Sequence, residues 1–194
     1  MQALIEQARN RFRKKDVKHY SFLALYNELG YTTDANYAKR WLLIQRIYAN
    51  YSKADRQLIG YLLKQELKAY RAGSALADSV YLCAFMLYDT MKEKDSLLLY
   101  QAKLSGNTDL QCCVDTEILF GKKPKATLNF LKRKKRQGRK IAKQALKAIK
   151  YYRSYKDAIY QEPKAFSRFF KERRGPNLIE TMQACFNQDE LNNG

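Results

Sequence analysis

The sequence predicts an all-α protein, and three observations support that prediction. Apolar residues recur at helical spacing along most of the chain, so that one face of each segment can be buried. The 194 residues include only three prolines and eight glycines, which leaves few turns for a fold built from strands. Polar residues typical of helix N-termini precede several of these segments. We expect no strand anywhere in the chain.

The first half of the chain is predicted to form five helices, over residues 1–14, 18–29, 35–51, 53–72 and 74–91. Gly30 and Gly73 follow the second and fourth helices as C-terminal stops. Asp34 is predicted to cap the third helix, and Ser52 with Asp55 forms a capping box before the fourth. The fifth helix is apolar on most sides and is therefore predicted to lie at the centre of the fold.

The second half is predicted to form helices over residues 96–105, 109–120, 125–136 and 139–156, followed by two closing helices. The closing helices have Pro163 and Pro176 in their first turns, and Gly175 is expected to end the first of them. Aromatic residues at helical spacing predict that this first closing helix docks on the core through Phe166, Phe169 and Phe170.

The spacing of the helices predicts how they are arranged. Helices that start near Asp34, Ser74 and Thr108 recur at about the interval of helical-hairpin repeats. We expect stacked helical hairpins, α-solenoid-like and similar to tetratricopeptide or HEAT units in spacing only, with a compact helical bundle as the alternative. The chain is expected to be one continuous domain. Its parts are a helical-hairpin core (1–121), a strongly basic helical pair (122–156), and closing helices with a short frayed tail (157–194).

The positive charge is concentrated in one segment. The formal net charge is +18, and residues 118–156 contain fifteen Lys or Arg and no Asp or Glu. Within the helix predicted over 139–156, small and apolar residues share one face while the cations occupy the other. Such a surface is predicted to bind an anionic partner, because closely spaced like charges repel one another. The candidate binding residues are Lys132, Arg133, Lys134, Lys135, Arg136, Arg139, Lys140, Lys143, Lys147 and Lys150.

Nucleic acid is the leading predicted partner of this surface, bound through its phosphates with little dependence on base sequence. Tyr151, Tyr152 and Tyr155 lie beside the cations and could stack on bases or pack in the core. An acidic protein is the alternative partner, in an adaptor or an inhibitor or immunity role. A membrane surface is not expected, because the apolar face is rich in Ala and lacks Trp and Phe. A solvated face with no partner also fits the sequence.

The sequence does not predict an enzyme, a cofactor, a metal site or a small-molecule substrate. The one histidine, His19, is expected to be exposed near a helix start, and no glycine-rich phosphate loop is present. Glu66 and Lys68 resemble a nuclease fragment, but on a helix they point about 200° apart, and we expect them on a salt-bridged surface. A metal-dependent nuclease assembled from distant carboxylates is the alternative.

The four cysteines are Cys83, Cys112, Cys113 and Cys185. They lack the spacing of a structural zinc site, and three of them have apolar neighbours. We therefore expect reduced thiols packed in the core of a cytoplasmic protein.

Overall fold

The computed structural model of the protein describes residues 1–104, 108–155 and 162–192. This part of the chain contains eleven α-helices, which confirms the prediction of an all-α protein. The first seven are α1 (Gln2–Asn10), α2 (Tyr37–Tyr48), α3 (Arg56–Arg71), α4 (Ala77–Thr90), α5 (Ser96–Leu104), α6 (Thr108–Cys113) and α7 (Glu117–Phe120). The other four are α8 (Pro124–Arg136), α9 (Lys140–Ser154), α10 (Pro163–Phe169) and α11 (Gly175–Asn192). Short 3₁₀ helices cover Lys14–Tyr20, Lys53–Asp55 and Glu93–Asp95, and a π-helical turn covers Phe170–Arg174.

The predicted helix over residues 18–29 is wrong, and so is the expectation of no strand. A small antiparallel hairpin is present there, formed by β1 (Ala24–Tyr26) and β2 (Thr32–Asp34). Asn27 directs its turn, because its side-chain oxygen accepts hydrogen bonds from the backbone N–H of Leu29 (3.1 Å) and of Tyr31 (2.8 Å). Gly30 then takes a φ of 78°, which glycine adopts without strain. Bonds from a side chain to the local backbone compete with helix formation, and here they prevail.

Asp34 does not cap the next helix. Asn36 is the N-cap residue of α2, two positions later than predicted. Asp34 closes the base of the hairpin instead, since its Oδ1 accepts from the backbone N–H of Leu23 (3.0 Å) and of Asn36 (3.1 Å). Its other carboxylate oxygen lies 2.7 Å from the guanidinium of Arg40.

The helices predicted over 53–72 and 74–91 are present as α3 and α4, although the predicted capping box opens the Lys53–Asp55 3₁₀ turn that leads into α3. Ser52 Oγ accepts from the Ala54 backbone N–H (3.2 Å), and Asp55 Oδ2 accepts from the Ser52 backbone N–H (2.8 Å), as in a capping box. Helix α4 is central: every residue from Ser79 to Tyr88 is buried. It packs against α3, α5, α6 and α11.

Gly175 does not end the first closing helix, so that prediction is wrong. Helix α10 passes through the π-helical turn directly into α11, and Gly175 has a helical φ of −62°. A Cβ atom at this position would overlap the Tyr48 hydroxyl, so the position requires glycine for its size. The predicted aromatic stripe is confirmed: Phe166 and Phe170 are fully buried, and the Phe170 ring stacks on Phe85 at a centroid distance of 3.6 Å. Residues 193–194 of the predicted tail lie outside the described chain.

The buried apolar residues form two clusters. The main core is built around α4 by α1, α2, α3, α5 and the closing helices. The second core is smaller and comprises Leu119, Phe120, Phe130, Leu131, Ala142, Ala145 and Ile149. Helices α5 and α7 contribute to both clusters and thereby join the α8–α9 pair to the rest of the molecule. None of the described helices combines the length and the apolar character that crossing a bilayer requires.

Candidate nucleic-acid interface

Helices α8 and α9 form an antiparallel pair that we call the basic hairpin. Gly138, with a φ of 77°, provides the turn between them. The face of α9 that carries Ala142, Ala145 and Ile149 is buried against α8, α5 and α7, as its spacing predicts. Only this narrow face is buried, and Lys and Arg occupy most of the exposed positions of both helices.

The structure leaves the predicted cations of the basic hairpin accessible to solvent. Nine of the ten are exposed, and Lys134 is half-buried. None of the ten forms an ion pair with a carboxylate among the described residues. We call this set the cationic surface: Lys132, Arg133, Lys134, Lys135, Arg136, Arg139, Lys140, Lys143, Lys147 and Lys150.

The cationic surface does not form a single face. Arg133 and Lys134 lie over the ring of Phe130, at 5.6 and 5.8 Å from its centroid, and both line a cleft beside α5. On α9, Lys143, Lys147 and Lys150 lie opposite the buried stripe. Cations of the hairpin therefore face outward and also toward the body of the protein.

The three neighbouring tyrosines divide into two groups. Tyr152 is half-buried and packs on the second core, as its place in the apolar stripe predicts. Tyr151 and Tyr155 are each 56% exposed, and their rings lie 5.3 Å apart at an angle of 68°. A hydrogen bond with the Tyr155 hydroxyl raises the pKa of Tyr151. Two exposed tyrosines thus lie at the C-terminal end of α9.

The residues considered for catalysis are not brought together. His19 is exposed on the Lys14–Tyr20 3₁₀ helix. The expected surface position of Glu66 is wrong, because Glu66 is fully buried, forms an ion pair with Arg40 and accepts from Ser79. Burial raises the pKa of Glu66, although the Arg40 guanidinium opposes that shift. Lys68 is exposed, on a different side of α3. Within the described ranges, no group of three or more His, Cys, Asp or Glu side chains could hold a metal ion.

The prediction of core thiols holds only for Cys83. Cys83 is fully buried in α4, and burial raises the pKa of its thiol well above the usual value. Cys112 is exposed, and Cys113 and Cys185 are half-buried. The apolar neighbours of the last two therefore did not indicate full burial.

Sequence reasoning missed the residues that surround the basic hairpin. Lys92 and Lys94 lie across the cleft from Arg133 and Lys134, although about 40 residues separate the two pairs along the chain. No local pattern in the sequence indicates this proximity, because it is created only when α8 packs beside the Glu93–Asp95 turn.

Comparison with protein-family models, characterised proteins and solved structures finds no match to this chain.

Proposed function

We propose that the protein is a non-enzymatic binding module that holds nucleic acid on the cationic surface of the basic hairpin, largely without regard to base sequence. The observation that carries this proposal is the set of ten cations with no ion-pairing carboxylate among the described residues. Like charges at this density repel one another and oppose folding of the helices that carry them. A polyanion removes that repulsion and releases its own condensed counterions when it binds.

The kind of side chain supports phosphate contact over base recognition. Lys and Arg dominate the exposed positions of α8 and α9, and such residues contact phosphates irrespective of the neighbouring bases. The covered apolar face of α9 keeps the hairpin folded on the second core, so that the cations lie on rigid helices. We also propose that the helices are arranged as stacked helical hairpins. In such a stack the basic hairpin is one repeat unit, and its outer side is left open to a ligand.

A salt titration tests the proposal. Binding to labelled single- and double-stranded DNA and RNA is measured by fluorescence anisotropy at increasing KCl, with and without Mg²⁺. We expect the logarithm of affinity to fall linearly with the logarithm of salt, with a slope of about −4 to −6 on duplex DNA, as for contacts to about five phosphates. Absence of binding at low salt overturns the proposal and favours an acidic protein partner. Cleavage of the probe only with Mg²⁺ contradicts a non-enzymatic role.

A pair of charge-matched variants tests the location of the surface. The first replaces Lys134, Lys135, Arg136 and Arg139 with Gln, and the control replaces four exposed cations at the other end of the chain, Arg11, Lys14, Lys15 and Lys18. Both variants lose the same net charge. We expect the first to lower the magnitude of the salt slope on duplex DNA by about 3 and to abolish binding at physiological salt, with unchanged circular dichroism. Equal losses in the two variants would show that net charge alone drives binding.

A further inference from the structure

A cleft of about 810 Å³ separates α8 from the Glu93–Asp95 turn and the start of α5. Cations line both of its walls: Lys92 and Lys94 on one side, and Arg133 and Lys134 on the other. Glu93 is the one acidic residue among the described residues that line it. The Phe130 ring lies beneath Arg133 and Lys134 and helps to hold them at the cleft.

A second cleft of about 370 Å³ adjoins the first, since Lys92 and Glu93 line both. It adds Lys53 from the turn before α3, and Lys122 and Lys123 from the turn before α8. Lys122 is paired with Asp89, and Arg56 in the same wall is paired with Asp95. Lys53, Lys92, Lys94 and Lys123 are exposed and form no ion pair with a described carboxylate.

The two clefts meet at Lys92 and Glu93, and we call the combined groove that they line the cleft track. Its cations that form no ion pair with a described carboxylate come from three turns and one helix: Lys53, Lys92, Lys94, Lys123, Arg133 and Lys134. Cations that face each other across a groove destabilise the fold unless an anion lies between them. A phosphate backbone that enters the groove is contacted from two sides, whereas the outer face of α9 contacts its ligand from one side only.

We infer that the cleft track holds the backbone of a single-stranded nucleic acid, as a continuation of the path across the cationic surface. This inference rests on the proposed function and names its ligand. A basic groove that follows the backbone, with exposed aromatic side chains nearby, is the usual arrangement in proteins that bind single strands without sequence preference. Here the groove is the cleft track. Exposed aromatic side chains are available at the C-terminal end of α9, where Tyr151 and Tyr155 lie.

The test compares two variants that each lose three exposed lysines. The cleft variant is Lys92→Gln, Lys94→Gln and Lys123→Gln, and the control is Lys14→Gln, Lys15→Gln and Lys18→Gln. The probes are labelled oligothymidylate and a duplex of the same length. We expect the cleft variant to bind oligothymidylate about tenfold more weakly, with a salt slope smaller in magnitude by about 2, while the control changes affinity less than about twofold. Thermal denaturation checks that both variants fold.

The outcomes separate this inference from the proposed function. If the unmodified protein binds oligothymidylate and the cleft and control variants bind it equally well, the cleft track is wrong and the proposed function stands. Binding of the duplex alone has the same meaning, because it excludes a single strand as the ligand. Failure of the unmodified protein to bind either probe overturns both.

Discussion

Asp89 of α4 and Lys171 of the π-helical turn form an ion pair, with Lys171 Nζ 2.7 Å from Asp89 Oδ2. Asp89 also accepts from the Tyr51 hydroxyl at 2.9 Å and pairs with Lys122, which lies just before α8. Its side chain is only 9% exposed. One carboxylate therefore connects the central helix, the closing helices and the segment that leads into the basic hairpin.

Replacing Asp89 with Asn is expected to destabilise the protein by about 1–3 kcal/mol at pH 7, because three charged or polar partners lose a charge-assisted hydrogen bond. Burial by itself would raise the pKa of Asp89, but hydrogen bonds from Lys122, Lys171 and Tyr51 hold the pKa below its usual value. A carboxyl with a lowered pKa stabilises the fold above its unfolded-state pKa of about 3.9 and loses that effect as the pH falls. Urea unfolding from pH 7 to pH 3 should therefore show the difference between wild type and variant shrinking. A constant difference would assign the effect to packing.

Arg40 and Glu66 form an ion pair that is fully buried between α2 and α3. Arg40 also faces Asp34, and Ser79 donates to Glu66. Arg40→Met should lower the free energy of unfolding by about 3–5 kcal/mol, because two carboxylates would remain buried without a cation. The control is Arg46→Met, an exposed position on the same helix, where we expect a change below about 0.5 kcal/mol. Urea denaturation measures both, and a small loss for Arg40→Met would show that water can reach the carboxylates.

Gly175 contacts Tyr48, and this contact joins α11 to α2. Gly175→Ala should destabilise the protein by about 1–3 kcal/mol, since the added methyl group overlaps the phenol ring. Tyr48→Ala in the same chain should remove that penalty, so the two substitutions are expected to be non-additive in a double-mutant cycle. Gly60→Ala is the matched control, because a Cβ there lies 3.9 Å from Leu87 and alanine favours the helix by up to about 1 kcal/mol. Additive losses would show that the penalty of Gly175→Ala does not come from the overlap with Tyr48, and a negligible loss for Gly175→Ala alone would mean that the Tyr48 ring moves aside.

Patterns that act within one turn of the chain were predictable, and contacts across the fold were not. Ser52 and Asp55 form the expected capping box because both partners lie within four residues. The turn between β1 and β2 depends on Asn27, whose side-chain oxygen accepts hydrogen bonds from the backbone of that turn. The apolar spacing allowed a helix there equally well, so the sequence pattern alone did not distinguish the two. The same limit applies to the interface. The cations of α8 and α9 are evident as a charge run, whereas Lys92 and Lys94 join them only through tertiary packing.

The exposed pair Tyr151 and Tyr155 bears on the kind of nucleic acid bound. Stacking requires an unpaired base, so Tyr151→Ser with Tyr155→Ser should weaken binding of oligothymidylate by at least about fivefold and leave duplex binding within about twofold. Neither substitution alters charge, so the salt slope should not change. Tyr26→Ser with Tyr31→Ser is the matched control, because these tyrosines of the β-hairpin are 75% and 68% exposed and lie outside the basic hairpin. Equal effects of the two pairs on oligothymidylate binding would contradict a stacking role, whereas a selective loss in the α9 pair would place unpaired bases beside the cationic surface.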